Sequence, residues 1–142
     1  MSTSVSALGA SPHRSLTALV VILGGASLPH FIHNAEFLGD YPNMPAYWSR
    51  LSVYVAWAWM TALGLAGWLL VRRGAPGFGL PLLAVYSLLG LVSLGHYVLA
   101  PLPAHTMVMN ATILLEVAAA AVLLIEVLRR GALQALRKDS QT

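Results

Sequence analysis

Four long apolar runs, separated by short segments rich in proline, glycine and charge, dominate the chain. They predict helices at about Leu16–Leu38, Leu51–Val71, Leu80–Leu99 and Thr106–Leu128. Each run is close to the roughly 20 residues that a helix needs to cross the hydrocarbon core of a bilayer. The runs are continuously apolar and do not alternate as the strands of a membrane β-barrel do. The pattern therefore predicts an all-α integral membrane protein, a bundle of four transmembrane helices.

The front of the first run has a second interpretation. The segment LTALVVIL, followed by Gly24, Gly25 and Ala26, resembles the core of a signal peptide with a small-residue cleavage site. The apolar run continues beyond Ala26 to Phe37, which favours a retained helix. Pro29 lacks a backbone N–H, so we expect a kink just before His30.

Composition narrows the class of protein. The chain has 142 residues, of which 58% are hydrophobic and 9% are charged, against about 25% charged residues in soluble domains. It contains no cysteine, which excludes disulfides, thiolate nucleophiles and cysteine-held metal sites. The net charge of +3 comes from basic residues at the ends of predicted helices, which favours orientation in a membrane over binding to nucleic acid.

The basic residues also predict the topology. Seven of the eight fall on one side of the four-helix arrangement, and only Arg50 falls on the other. By the positive-inside rule, both termini are cytoplasmic and the loops at 39–50 and 100–105 are outside, in the cell inner (plasma) membrane. The predicted division is a disordered cytoplasmic tail at 1–15, a transmembrane domain at 16–130 and a second cytoplasmic tail at 131–142.

Polar and ionisable residues of the predicted helices gather in the outer half of this arrangement. They are His30, His33, Asn34, Glu36, His96, Tyr97, His105, Asn110 and, near mid-depth, Glu116. Neighbouring helices run in opposite directions, so closeness in sequence does not impose this gathering. Such groups are costly in hydrocarbon and normally mark a pathway or a reacting group.

Helical spacing predicts that these residues face inward. On the fourth helix His105, Met109, Thr112 and Glu116 follow an i, i+4, i+7, i+11 spacing, which puts them on one face. The other helices each carry a similar polar or aromatic seam. Four seams that face one another would line an amphipathic pocket opening outward.

The segment HNAEFLGDYPNMPAYW resembles small bacterial membrane proteins named for an HXXEE motif. The resemblance implies about four helices and gives importance to His33 and Glu36, the residues that match the motif. Phe37 stands where the second glutamate would be, so no paired-carboxylate role is carried over. By analogy of type alone, the pocket is similar to those of membrane-embedded sterol isomerases and terpene cyclases.

These features favour binding of a lipophilic small molecule or lipid, and acid–base chemistry on it. In this hypothesis Glu116, removed from water, acts as the acid, and His33 assisted by Glu36 acts as the base. Trp57, Trp59 and Tyr97 would stabilise a cationic intermediate through their ring faces. The predicted ligand-binding residues are His30, Asn34, Trp57, His96, Tyr97, His105 and Asn110.

Two other classes stay open. Imidazoles from three helices with a carboxylate suit a metal ion, and His33 and His96 could bracket a haem, although the repeated Glu-x-x-His pairs of di-iron bundles are missing. A non-catalytic accessory subunit or small transporter could use the same cluster for protons or for packing. The ligand and any cofactor are not specified, and the small residues Ala118–Ala121 permit close helix contacts within the bundle or in a homo-oligomer.

Overall fold

The computed structural model describes residues 12–140, and within them it contains helices, turns and no strands. The helices are α1 (Pro12–Glu36), α2 (Arg50–Arg72), α3 (Pro76–Leu91), the short α4 (Gly95–Leu99) and α5 (Met107–Asp139). A 3₁₀ turn at Val92–Leu94 joins α3 to α4, so that Pro76–Leu99 forms one continuous span. In the described residues, four spans are long and apolar enough to cross a membrane. The predicted all-α architecture with four apolar helices is confirmed.

The helix boundaries follow from local chemistry. Ser49 caps α2, since its hydroxyl accepts a hydrogen bond from the backbone N–H of Ser52, and Thr106 caps α5 in the same way through Met109. Between α2 and α3 the chain turns through Gly74, whose φ of 82° is in the left-handed region that glycine tolerates. Pro76 then occupies the first position of α3, where its missing N–H costs nothing.

Three predicted boundaries are wrong: α3 begins at Pro76 rather than at Leu80, and α5 and α1 also extend beyond their predicted ends. α5 does not end near Leu128 but continues to Asp139, because Arg129 and Arg130 pair with Glu126 along the helix and the following residues are mostly good helix formers. α1 begins at Pro12 rather than at Leu16, so its first turn occupies part of the predicted disordered tail. Residues 1–11 of that tail lie outside the described residues.

The four spans pack as a four-sided bundle in which α1 contacts α2 and α5, and α3 contacts α2 and α5. The core is built from large side chains that are almost completely buried, among them Leu23, Leu83, Tyr86, Ile113 and Leu123. Large apolar side chains also cover the outside of the bundle, as a surface in contact with lipid requires.

The two ends of the bundle differ in chemistry. At one end, which we call the terminal end, Arg130 donates a hydrogen bond to the Ser15 hydroxyl, joining the beginning of α1 to α5. At the opposite end, which we call the far end, lie the connections 37–49 and 100–106. The histidines at positions 30, 33, 96 and 105 are all in the half of the bundle towards the far end.

Candidate functional site

The structure brings eight of the ten predicted site residues into one polar network at the far end. They are His30, His33, Asn34, His96, Tyr97, His105, Asn110 and Glu116. α1 supplies the first three, α4 the next two and α5 the last two, and His105 stands just before α5. On α5 the face predicted to point inward does so at Met109 and Glu116, which are buried, while Thr112 is half-buried and Glu36 at the end of α1 is exposed.

Glu116 and His30 form the deepest part of the network. The side chains of both are almost fully buried, and His30 Nε2 lies 3.7 Å from Glu116 Oε2. The Ser93 hydroxyl donates a 2.7 Å hydrogen bond to the same carboxylate oxygen. Sequence reasoning paired Glu116 with His33, whereas in the structure the imidazole beside this carboxyl group belongs to His30.

His96 connects this pair to the other imidazoles. Its ring centroid lies 5.3 Å from that of His30 and 6.2 Å from that of His105, with edge-on geometry in both cases. Its Nε2 lies 3.5 Å from the side-chain nitrogen of Asn34. A series of imidazoles therefore leads from Glu116 towards the loop at the far end.

Tyr41, from the loop after α1, closes the network on another side. Its hydroxyl lies 3.0 Å from His33 Nδ1, and its ring centroid lies 5.0 Å from that of His96. Burial raises the pKa of the Tyr41 hydroxyl to about 12, against the opposing effect of the nearby Thr112 hydroxyl, so the phenol stays protonated at neutral pH. Tyr41 is not among the site residues predicted from the sequence. Its position eight residues after His33, beyond a turn, was the available indication.

Tyr97, His105 and Asn110 form the part of the network next to the 100–106 loop. The Tyr97 hydroxyl donates a 2.9 Å hydrogen bond to the side-chain oxygen of Asn110. The Asn110 amide nitrogen donates in turn to the backbone carbonyls of Leu102 and His105, each at 3.2 Å. These bonds hold the 100–106 loop against α5, so Asn110 positions the loop.

Several buried polar atoms of the network have no hydrogen-bond partner among the protein atoms. Among the described side chains, those of residues 14–140, five buried atoms are unpaired, and four of them are here: His30 Nδ1, Asn34 Oδ1, His105 Nε2 and Glu116 Oε1. An unpaired buried polar group costs about 1–3 kcal/mol. These four atoms are therefore able to form hydrogen bonds with a group from outside the chain, such as a water molecule or a ligand.

A cavity of about 420 Å³ adjoins the network. Its polar lining comes from His30, Asn34, Ser93 and His96, and its other walls are mainly apolar, from α2, α3, α4 and the loop that carries Met44 and Trp48. An apolar cavity of this size with a few converging polar groups is typical of a small-molecule site. His30 and Asn34, which each have an unpaired atom, line it directly.

Glu36 and two tryptophans lie apart from this site. Glu36 accepts a 2.6 Å hydrogen bond from the Tyr54 hydroxyl and pairs with Arg50 at 2.6 Å, so the structure gives His33 and Glu36 separate partners. Trp57 donates to the Ser27 hydroxyl at 3.2 Å and does not line the cavity. Trp59 is 74% exposed on the outside of the bundle, so the prediction that its ring faces a bound intermediate is wrong.

Among the side chains of residues 14–140, no three from His, Cys, Asp or Glu are grouped so that they could hold a metal ion. The resemblance to HXXEE proteins stays a prediction, carried by His33 and Glu36 alone. In comparisons with known proteins, no family model, no curated protein and no solved structure matches the chain.

Proposed function

We propose that the protein spans the plasma membrane and binds a lipophilic small molecule in the far-end cavity, where it carries out acid–base chemistry of the isomerase or cyclase type. The observation that carries the proposal is the His30–Glu116 pair. Both side chains are buried, each keeps one unpaired polar atom, and His30 lines a cavity whose other walls are mainly apolar. Perturbed titratable groups beside a cavity favour a functional site.

The proposed reaction moves a proton and needs no co-reactant. His30 Nε2 faces the carboxyl group of Glu116, which leaves Nδ1 as the ring nitrogen without a partner. This pair takes a proton from one atom of the bound molecule and returns it to another atom of the same molecule, so the reaction balances. Ser93, bonded to Glu116 and exposed to the cavity, holds the carboxyl group in place. His30 therefore takes the role that sequence reasoning gave to His33.

The proposed topology puts both termini in the cytoplasm and the far end outside. It is supported by the seven basic residues at the terminal end. Arg50, the exception, is neutralised by Glu36 at 2.6 Å, so it contributes little net positive charge to the far end. Four apolar spans and an apolar outer surface support insertion in a membrane.

Single cysteines test this topology, because the chain has no cysteine of its own. Tyr47 is 79% exposed at the far end, and Ser140 is exposed at the terminal end. We expect a membrane-impermeant maleimide to label Tyr47→Cys in intact cells and Ser140→Cys only after permeabilisation. Labelling of Ser140→Cys in intact cells, with Tyr47→Cys protected, would reverse the proposed orientation.

Filling the cavity tests ligand binding. Gly95 lines the cavity, and a Cβ built there meets no atom within 4 Å, so Gly95→Leu adds bulk without a clash at its first carbon. Gly25 also has free space but lies away from the cavity, which makes Gly25→Leu the matched control. We expect a lipophilic compound to be extracted with the wild-type protein and with the control. Gly95→Leu should retain at least tenfold less of it, which corresponds to a loss of binding free energy on the order of 1.4 kcal/mol.

The same purified samples distinguish the cofactor alternative. Their metal content and visible spectrum are measured beside the extracted lipids. Equal amounts of every lipophilic compound in the two glycine variants would contradict the proposal. Stoichiometric metal or a haem band lost on changing His33 or His96 to alanine would favour a cofactor protein instead.

A further inference from the structure

The terminal end contains a second region with the chemistry of a binding site. A cleft of about 460 Å³ lies where the end of α2, the start of α3 and the last turns of α5 meet. Three arginines line it, Arg129, Arg130 and Arg137, and Val71, Leu80 and Leu133 contribute apolar wall. Sequence reasoning treated these arginines as topological signals. Their convergence on one cleft depends on the continuation of α5 beyond Arg130.

The charge of this cleft favours an anion. Glu126 pairs with both Arg129 and Arg130, which neutralises one of the three positive charges and leaves a net charge of +2 on the four side chains. The ion pairs also hold both guanidinium groups in place against α5. Arginine binds phosphate through several N–H donors in fixed geometry.

An apolar cleft adjoins the basic one. It has a volume of about 360 Å³, runs between α3 and α5, and shares Pro76, Leu80 and Gln134 with the basic cleft. Its lining is almost entirely apolar and includes the small residues Ala84, Gly131 and Ala132. A phosphate group in the basic cleft would therefore lie beside this apolar cleft. The acyl chain of a lipid could occupy the apolar cleft, whereas a free phosphate would make no contact there.

We infer that the terminal end binds one anionic phospholipid, with its phosphate between Arg129, Arg130 and Arg137 and an acyl chain in the apolar cleft between α3 and α5. Basic pockets between membrane helices recognise anionic headgroups in this way. Residues 131–139 of α5 extend roughly 13 Å beyond Arg130, and Arg137 lies about two helical turns beyond it. This site is at the opposite end from the His30–Glu116 pair and does not depend on the proposed function.

The test is a titration of the full-length protein in detergent with phosphatidylglycerol, phosphatidylcholine and inorganic phosphate, with bound lipid counted by native mass spectrometry. We expect phosphatidylglycerol to bind at least tenfold more tightly than phosphatidylcholine. Arg137→Gln should weaken phosphatidylglycerol binding about fivefold, the factor that corresponds to one basic residue near an anionic surface. Arg73→Gln, which removes an exposed arginine of the same end outside both clefts, should change it less than twofold.

A second variant tests the acyl channel without changing charge. Ala132→Trp, at an exposed position in the apolar cleft, should weaken binding of phosphatidylglycerol while the fold is kept. Equal affinity for the two lipids, or equal effects of Arg137→Gln and Arg73→Gln, would overturn the inference. If inorganic phosphate at the same concentration displaced the lipid, the site would recognise phosphate alone, and the inference that it binds a lipid would be overturned. Gly95→Leu should leave this titration unchanged, which separates it from the far-end proposal.

Discussion

We expect Gly79→Ala to destabilise the protein by about 3 kcal/mol, because two backbones meet at this position. A Cβ at Gly79 would lie 2.6 Å from the carbonyl oxygen of Gly67 and 2.7 Å from the backbone nitrogen of Val71. No side-chain rotation relieves a contact with backbone atoms, so α2 and α3 would have to move apart. Small residues at helix crossings are what permit such close approach in membrane bundles.

The same helix supplies the control. A Cβ at Gly77 meets no atom within 4 Å, so Gly77→Ala should change stability by less than about 0.5 kcal/mol. The measurement is the free energy of unfolding of both variants in mixed micelles with increasing denaturing detergent. Equal stability of the two variants would show that the α2–α3 contact is looser than the structure indicates.

The architecture could be predicted from the sequence because it depends on properties that are local in the chain. Runs of about 20 apolar residues specify the spans, and the 3.6-residue period specifies which face of each span is polar. Both predictions hold for α5, where Met109 and Glu116 are buried in the bundle; His105 is also buried, but from the loop just before the helix, where no helical period applies. The end of α5 was mispredicted because a pair of arginines is a usual stop for a membrane span, while the helix itself has no reason to end there.

Pairing between helices could not be predicted, because it depends on the crossing angles and axial shifts of α1 against α5. His30 and His33 are one helical turn apart, and a small axial shift exchanges their partners. The structure puts His30 beside Glu116 and gives His33 to Tyr41. Tyr41 itself lies in a loop, where no periodicity applies, and its burial follows from the tertiary fold.

Glu36 illustrates the opposite error. Its closeness in sequence to His33 suggested a functional pair, but its carboxylate bonds to Tyr54 and Arg50 at the start of α2. The ion pair between Glu36 and Arg50 joins the end of α1 to the next helix, and it neutralises the one arginine of the far end. Local spacing favours contact within a helix, yet a residue at the last position of a helix is free to bond across the following loop.

The second large effect concerns the His30–Glu116 pair. We expect His30→Leu and Glu116→Leu each to destabilise the protein by about 2–3 kcal/mol, because each leaves its buried partner without a counterpart. The double variant should cost less than the sum of the two, with a coupling of about 1 kcal/mol or more, since it leaves neither polar group behind. Replacement of a buried polar pair by apolar residues is often neutral or even stabilising.

Glu126 gives the matched control for this cycle. It is a glutamate on the same helix, ten residues or roughly 15 Å further along, and its partners are Arg129 and Arg130. His30→Leu combined with Glu126→Gln should therefore be additive to within about 0.5 kcal/mol. Free energies of unfolding for the three single and two double variants, beside the wild-type protein, give both couplings under one set of conditions. Additivity in both cycles would mean that His30 and Glu116 do not interact.

The same variants distinguish a functional pair from a structural one. If the pair serves stability, the double variant should be less stable than the wild-type protein. The amount of lipophilic compound extracted with it should be unchanged. If the pair serves the proposed chemistry, the double variant should have near wild-type stability, but its cavity should no longer retain the compound. This is expected because functional sites keep polar groups at a cost in stability. Ser93 should then matter only through Glu116: Ser93→Ala lowers retention in the wild-type background and changes nothing further once Glu116 is leucine.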